Sequence, residues 1–202
     1  VAYYLGTARG EYGLVAGAAQ NLGIVLGKTG RYREARTYIE RGLKLAIEMA
    51  DPVRVLRARL GLARIDRAEL MTVRARKVLA VSRSEYPMIL PEREHCLLLL
   101  EEARLDLDEG SLDRARTVSA ELRMRVEAMA PRGDLKVEIL LLEADMAAGE
   151  SRWADASSAA SEALDLARSD RDRAQEERAL LRLASAWARS GRLGESETTL
   201  AG

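Results

Sequence analysis

Five stretches of this chain can be written under one another so that residues of the same size fall into the same columns. They are NLGIVLGKTGRYREA, RLGLARIDRAELMTV, EEARLDLDEGSLDRA, LEADMAAGESRWADA and RLASAWARSGRLGES. One column holds Gly23, Gly61, Ala103, Ala144 and Ala184, all small. Nine residues on stand Tyr32, Leu70, Leu112, Trp153 and Leu193, all bulky, and three further stand Ala35, Val73, Ala115, Ala156 and Ser196. The small column recurs after 38, 42, 41 and 40 residues. A period near 40 constrains the fold strongly, because a unit that short cannot bury an apolar face alone and must stack on its neighbours.

The unit reads as a helical hairpin. Apolar residues recur at helical spacing, as in YIERGLKLAIEMA, where Ile39, Leu43 and Ile47 are expected on one stripe and Glu40, Arg41, Lys44 and Glu48 away from it. Pro52, Pro87, Pro91 and Pro131 fall between such segments, where helices stop, and no stretch alternates like a strand. Two antiparallel helices approach closely only where side chains are small, which the small columns supply. The bulky residue after the turn then plugs the gap. Gly30, Gly110 and Gly191 are expected in the turn itself, with Ala68 and Ser151 in their place in the second and fourth copies. A further small column is expected near the end of the second helix, at Gly42, Ala80 and Ala163, with Leu122 departing from it.

Composition narrows the functional classes. Basic and acidic side chains number 32 each, so no global field draws the chain to nucleic acid or to an anionic membrane. The single cysteine rules out an internal disulfide and fits a reducing compartment, so a cytoplasmic location is expected. No apolar run approaches the roughly 18 to 20 residues of a membrane span. The chain opens at Val1 inside a helical pattern, and an internal piece of a longer protein is expected.

Motifs with chemical meaning do not survive inspection. Gly27-Lys28-Thr29 matches the end of a phosphate loop, but that loop needs a glycine at the position held by Leu22 and a strand before it. The stretch LVAGAAQNLGIVL before it is helical, so Gly27-Lys28-Thr29 reads as a helix end. His95 and Cys96 are adjacent, and neighbours on a helix diverge by about 100°, which suits neither a zinc site nor a nucleophile–base pair. Cys96 is expected in the core. Trp153, Trp187, Met124, Met129 and Met146 are likewise expected to fill packing gaps. No catalytic residue, cofactor or metal is therefore expected, and the chain reads as non-enzymatic.

Charge is segregated. Residues 54–77 carry eight basic side chains against Asp66 and Glu69, and residues 92–109 carry seven acidic ones against Arg93 and Arg104. Successive hairpins stacking basic against acidic would explain this. A nucleic-acid patch fits less well, since the basic segment has no aromatic residue to stack on a base.

The pattern resembles the tetratricopeptide repeat family. The resemblance rests on NLGIVLGKTGRYREARTYIERGL, then on EARLDLDEGSLDRA, WADASSAASEAL and RLASAWARSGRL, with RLGLARIDRAELMTV accepted in register. The period exceeds the 34 residues of the simplest form and is similar to longer-helix versions in bacterial multidomain regulators, such as maltose-activator-like transcription factors. The resemblance implies an all-α, right-handed superhelical solenoid. Its parts would be the tail of a preceding repeat at 1–9, repeats at 10–50, 51–90, 91–132 and 133–170, and a truncated fifth at 171–202. First helices would line a concave groove through Gln20, Ile24, Lys28, Ala58, Leu62, Asp66, Leu100, Arg104, Asp108, Leu141, Asp145, Leu181, Ser185 and Arg189. The implied role is protein or peptide binding, with self-association a further possibility, or sensing of a small effector within a larger signalling protein.

Overall fold

The computed structural model describes residues 11–85, 91–129 and 133–192. Among them are nine α-helices and no strand, so the fold class is all-α. In chain order these are α1 (Tyr12–Lys28), α2 (Tyr32–Glu48), α3 (Pro52–Ala68), α4 (Thr72–Glu85), α5 (Glu92–Asp108), α6 (Leu112–Met129), α7 (Asp134–Gly149), α8 (Trp153–Ser169) and α9 (Arg173–Arg189). The residues fall into two compact units, one ending at Glu109 and the other beginning at Gly110.

One local device sets the period. Helices α1, α2, α3, α5, α8 and α9 each have 17 residues. Three residues separate α1 from α2, α2 from α3 and α3 from α4, and again α7 from α8 and α8 from α9. The middle one is left-handed every time: Gly30, Ala50, Leu70, Ser151 and Arg171, with Gly110 and Gly191 alike. The N–H after it reaches back five residues, as Arg31 to Leu26 O, Asp51 to Ala46 O, Met71 to Asp66 O, Arg152 to Ala147 O and Asp172 to Ala167 O. That is the Schellman closure, which uses up the last carbonyls of a helix and reverses the chain. Two such helices and two such connections make forty residues.

This geometry corrects the second repeat. The left-handed residues that follow first helices are Gly30, Leu70, Gly110, Ser151 and Gly191, spaced 40, 40, 41 and 40 apart. Ala68 is therefore the last residue of α3, and Leu70 holds the turn. Counting from that turn, Ala63 matches Gly23, Thr72 matches Tyr32 and Ala75 matches Ala35, and both alanines are buried. Leu70 and Val73, expected inside, are 86% and 83% exposed. At the far end of α4 the small position belongs to buried Ser82, whose Oγ donates to Val78 O, and Ala80 is exposed. Gly61 is small for another reason. It and Gly23 face Ile39 from α3 and from α1, and added Cβ atoms would lie 3.0 Å from its Cδ1 and 2.4 Å from its Cγ1.

Packing follows the same order inside each unit. In the first, α1 packs on α2, α2 on α3, α3 on α4 and α4 on α5, and the first helices touch directly as α1 on α3 and α3 on α5. In the second, α6 packs on α7, α7 on α8, α8 on α9 and α7 on α9. Leu26, Ala35, Ile39, Ala58, Leu62 and Ile65 form one core, and Leu56, Leu60, Ala63, Ala75, Leu79, Leu98 and Leu105 the next. The second unit is built on Val137, Leu140, Leu141, Ala144, Ala160, Ala163, Leu164 and Leu183.

Details of the buried stripe differ from expectation. On α2 it runs Ala35, Ile39, Gly42 and Ala46, leaving Ile47 exposed. Cys96 and Met146 are buried, whereas Met124 and Met129 are exposed, so only the first two are packing residues. Trp153 and Trp187 are half-buried, and the Arg192 guanidinium lies 5.3 Å from the Trp187 ring centre. Pro52 opens α3 and Pro91 caps α5, while Pro87, Pro131, Leu193 and Ser196 lie outside the described residues.

Leu70 is both left-handed and exposed, so its side chain returns little for a conformation that costs an L-residue roughly 1–2 kcal/mol. Leu70→Gly is expected to raise stability by about 1 kcal/mol in a urea titration. Gly23→Ala, whose Cβ would also lie 2.9 Å from Ala35 O, is expected to lower it by about 1–3 kcal/mol.

Candidate functional site

The expected groove residues divide into three groups. Gln20, Ala58, Leu62, Asp66, Leu100 and Leu141 are buried, so packing accounts for them in this conformation. Ala58 and Leu62 belong to the α1–α3 core and Leu141 to that of the second unit. Gln20 Nε2 donates to Arg54 O at 3.0 Å, tying α1 to α3. A second group is held in ion pairs. Arg104 donates to Glu101 at 3.0 Å, Asp108 accepts from Arg67 Nε at 2.6 Å, and Asp145 accepts two bonds from Arg182 at 2.8 and 2.7 Å. The open group is Lys28, Leu181, Ser185 and Arg189, with Ile24 half-exposed.

Between the first helices runs a set of Arg–carboxylate bonds that column reasoning missed. Arg57 Nε donates to Glu94 at 3.1 Å and Arg64 Nε to Glu101 at 2.8 Å, both from α3 to α5. In the second unit Arg178 and Arg182 of α9 donate to Glu138 and Asp145 of α7. The signal was present in the sequence. Arg57 and Arg64 stand seven residues apart, and so do Glu94 and Glu101, 37 residues on.

A second set runs from the second helices α2, α4 and α6 to the following hairpin. Arg36 donates to Asp66 and Glu69 at 2.7 Å, and Arg76 to Asp106 and Glu109 at 2.6 Å. Arg116 pairs with Glu150 in the second unit. These arginines recur every 40 residues, directly after Ala35, Ala75 and Ala115. The basic segment 54–77 and the acidic segment 92–109 thus meet as stacked neighbours, through Arg57, Arg64, Arg67 and Arg76.

Glu101 is the electrostatic centre of the first unit. It is fully buried, which pushes its carboxyl up, but Arg64, Arg104 and Arg67 outweigh burial and hold it down at about 2. Arg64 and Arg67 come from α3 and Arg104 from α5 itself, so the carboxylate is also a clasp between two first helices.

A pocket of about 190 Å³ opens beside this clasp, between α1, α3 and the start of α2. Gly23, Ile24, Gly27 and Lys28 line it from α1, Tyr32 and Ile39 from α2, and Gly61, Arg64, Ile65 and Ala68 from α3. A bound nucleotide would need far more room, since ligand sites for drug-sized molecules run to roughly 300–1,000 Å³. The phosphate-loop likeness at Gly27-Lys28-Thr29 ends here as well. The Thr29, Gly30 and Arg31 N–H groups already donate to Leu26 and Gly27 carbonyls.

Among the described residues no His, Cys, Asp and Glu side chains gather in a group that could hold a metal. No helix among them is long and apolar enough to cross a membrane. Comparison with protein-family models and with curated proteins returns no match for this chain.

The Glu101 clasp yields a pH prediction. Its carboxyl sits at about 2 when folded against an ordinary 4.5, so between these values the unfolded chain binds more protons. Its contribution is complete above about pH 4.5 and is lost as the pH falls toward 2. The shift corresponds to about 3 kcal/mol. Glu101→Gln is expected to cost about 3 kcal/mol at pH 7, by removing the charge that Arg64, Arg67 and Arg104 share, and to flatten the acid limb of stability against pH measured in urea.

Proposed function

We propose that this chain is a tetratricopeptide-like repeat module that recognises a protein or peptide through the face made by its first helices, within a larger bacterial regulatory protein of the cytoplasm. One observation carries the reading: α1 packs on α3 and α3 on α5 in one unit, and α7 on α9 in the other, while within each unit the second helices make no such contact with one another among the described residues. Contact between first helices without contact between second helices supports local curvature with the first helices inside, as the resemblance implies. Such a face offers many shallow contacts, which suits an extended peptide or a helix better than it suits catalysis. Its open residues mix chemistry accordingly. Leu181 is 61% exposed, and Ser185 and Arg189 lie beyond it on the same helix.

Exposed Leu181 supports this reading, as an apolar contact for a partner or for a second copy. The equivalent residue one repeat earlier, Leu141, is fully buried by packing in its unit. Panning a displayed peptide library on the whole chain, followed by calorimetry on the selected peptides, tests the reading. Leu181→Glu with Arg189→Glu is expected to weaken binding by about tenfold or more. Arg33→Glu with Lys44→Glu, on the outward face of α2, is expected to leave it unchanged. Binding that ignores the first-helix pair and follows the α2 pair would overturn it. Sedimentation of the same variants reads self-association separately.

A second reading, an effector-sensing array, is favoured by the α1–α2–α3 pocket. It predicts that an occupant changes the small-angle scattering profile of the chain.

A further inference from the structure

The α1–α2–α3 pocket has an apolar interior and a polar rim of one sign. Ile24, Ile39, Ile65 and Ala68 form its walls, Gly23 and Gly61 lie against Ile39, and at Gly27 the missing side chain leaves room. The polar side chains on its lining are Lys28, Tyr32 and Arg64, with no carboxylate among them. The exposed Lys28 ammonium has no ion-pair partner among the described residues, and neither has the Tyr32 hydroxyl a hydrogen-bond partner there. Arg64 is committed through Nε to Glu101 and remains 41% exposed.

Size selects the occupant. A cavity of roughly 150 Å³ takes a benzene ring, so 190 Å³ holds a single ring or a short branched aliphatic group and little else. Charge selects it further. The ends of α1 and α3 lie at this pocket and each contributes about half a negative charge, but the last carbonyls of α1 are already bonded to the Thr29, Gly30 and Arg31 N–H groups. Two side-chain cations outweigh that residue of dipole.

We propose that this pocket binds a small apolar carboxylate, its ring or branched chain against Ile24, Ile39 and Ile65 and its carboxylate between Lys28, Tyr32 and Arg64. The ligand class deepens the effector-sensing reading, yet it stands on the pocket alone. Binding without any change in scattering would remove sensing and keep the site. The carboxylate can come from a free acid or from a chain ending in an apolar residue, and both present the same chemistry.

Calorimetry on the whole chain with phenylacetate and 4-methylpentanoate is the test, beside phenylacetamide and phenethylamine as neutral and cationic matches. The carboxylates are expected to bind, the amide about tenfold more weakly and the amine not measurably. Gly27→Leu is the blocking variant. A Cβ at Gly27 meets nothing nearer than Ala35 Cβ and Ile65 Cγ1 at 3.9 Å, so the side chain enters the pocket without displacing backbone. It is expected to abolish binding while leaving the circular-dichroism melt intact. Should it unfold the chain, Gly27→Ala supplies the milder version, with binding weakened several-fold. Lys28→Glu is expected to reverse the preference between acid and amine. A Gly-Gly-Phe acid and its amide separate the two sources, since a tighter peptide acid points to a chain terminus and a weaker one to a free metabolite. Carboxylate binding that survives Gly27→Leu, equal binding of acid and amide, or no binding at millimolar acid would overturn the proposal.

Discussion

A three-residue reversal with a left-handed middle residue governs everything else in this protein. It ends a helix by occupying the carbonyls that would have continued it, as Arg31 does at Leu26 and Asp172 at Ala167. Where the between-hairpin connection is built like the within-hairpin one, as at Ala50 and Arg171, two helices and two connections return the chain to the same setting within a unit. The positions that meet a neighbour then recur at the same interval. Ala35, Ala75 and Ala115 are buried, and the arginine after each reaches the following hairpin. The backbone device tolerates poor residues. Ala50, Leu70, Ser151 and Arg171 all adopt it without being glycine, each at some cost in strain.

Apolar burial holds the pairs together and charge arranges their order. Cores such as Leu26, Ala35, Ile39, Ala58, Leu62 and Ile65 are nondirectional and would accept several relative settings of the helices. Arg57 with Glu94 and Arg64 with Glu101 meet in one register only, because both pairs share the same offset. Most of these pairs are partly open to solvent, where each contributes about 1 kcal/mol or less. Glu94, Asp66 and Asp106 are buried as well, and Glu101, fully buried with three guanidiniums on it, cannot lose a member cheaply.

The same arrangement leaves two kinds of open surface. On α9, apolar Leu181 and charged Arg189 face outward together. Where Gly27 lacks a side chain beside Ile65, a pocket remains with Lys28 and Arg64 on its lining. The first suits a chain-like partner and the second a small one.

Most of the fold was legible in the sequence, and the reasons are specific. Helical spacing of apolar residues, prolines between segments and the columns at Gly23, Ala103, Ala144 and Ala184 are local or periodic, so they can be read without coordinates. The second repeat was misread by two residues because Leu60-Gly61 imitates Leu22-Gly23. Only the tertiary structure shows that Gly61 is small for the sake of Ile39 on the preceding hairpin, and that Ala63 and Ala75 hold the repeat positions. The groove was legible as a strip of positions but not as a surface. Whether Asp66, Leu100 or Leu141 meets solvent depends on which helix is stacked over it, a long-range fact with no trace in the residues nearby. Sequence fixed how each hairpin is made, through turn chemistry and side-chain size; the stacking of one hairpin on another decided which of its residues remain available.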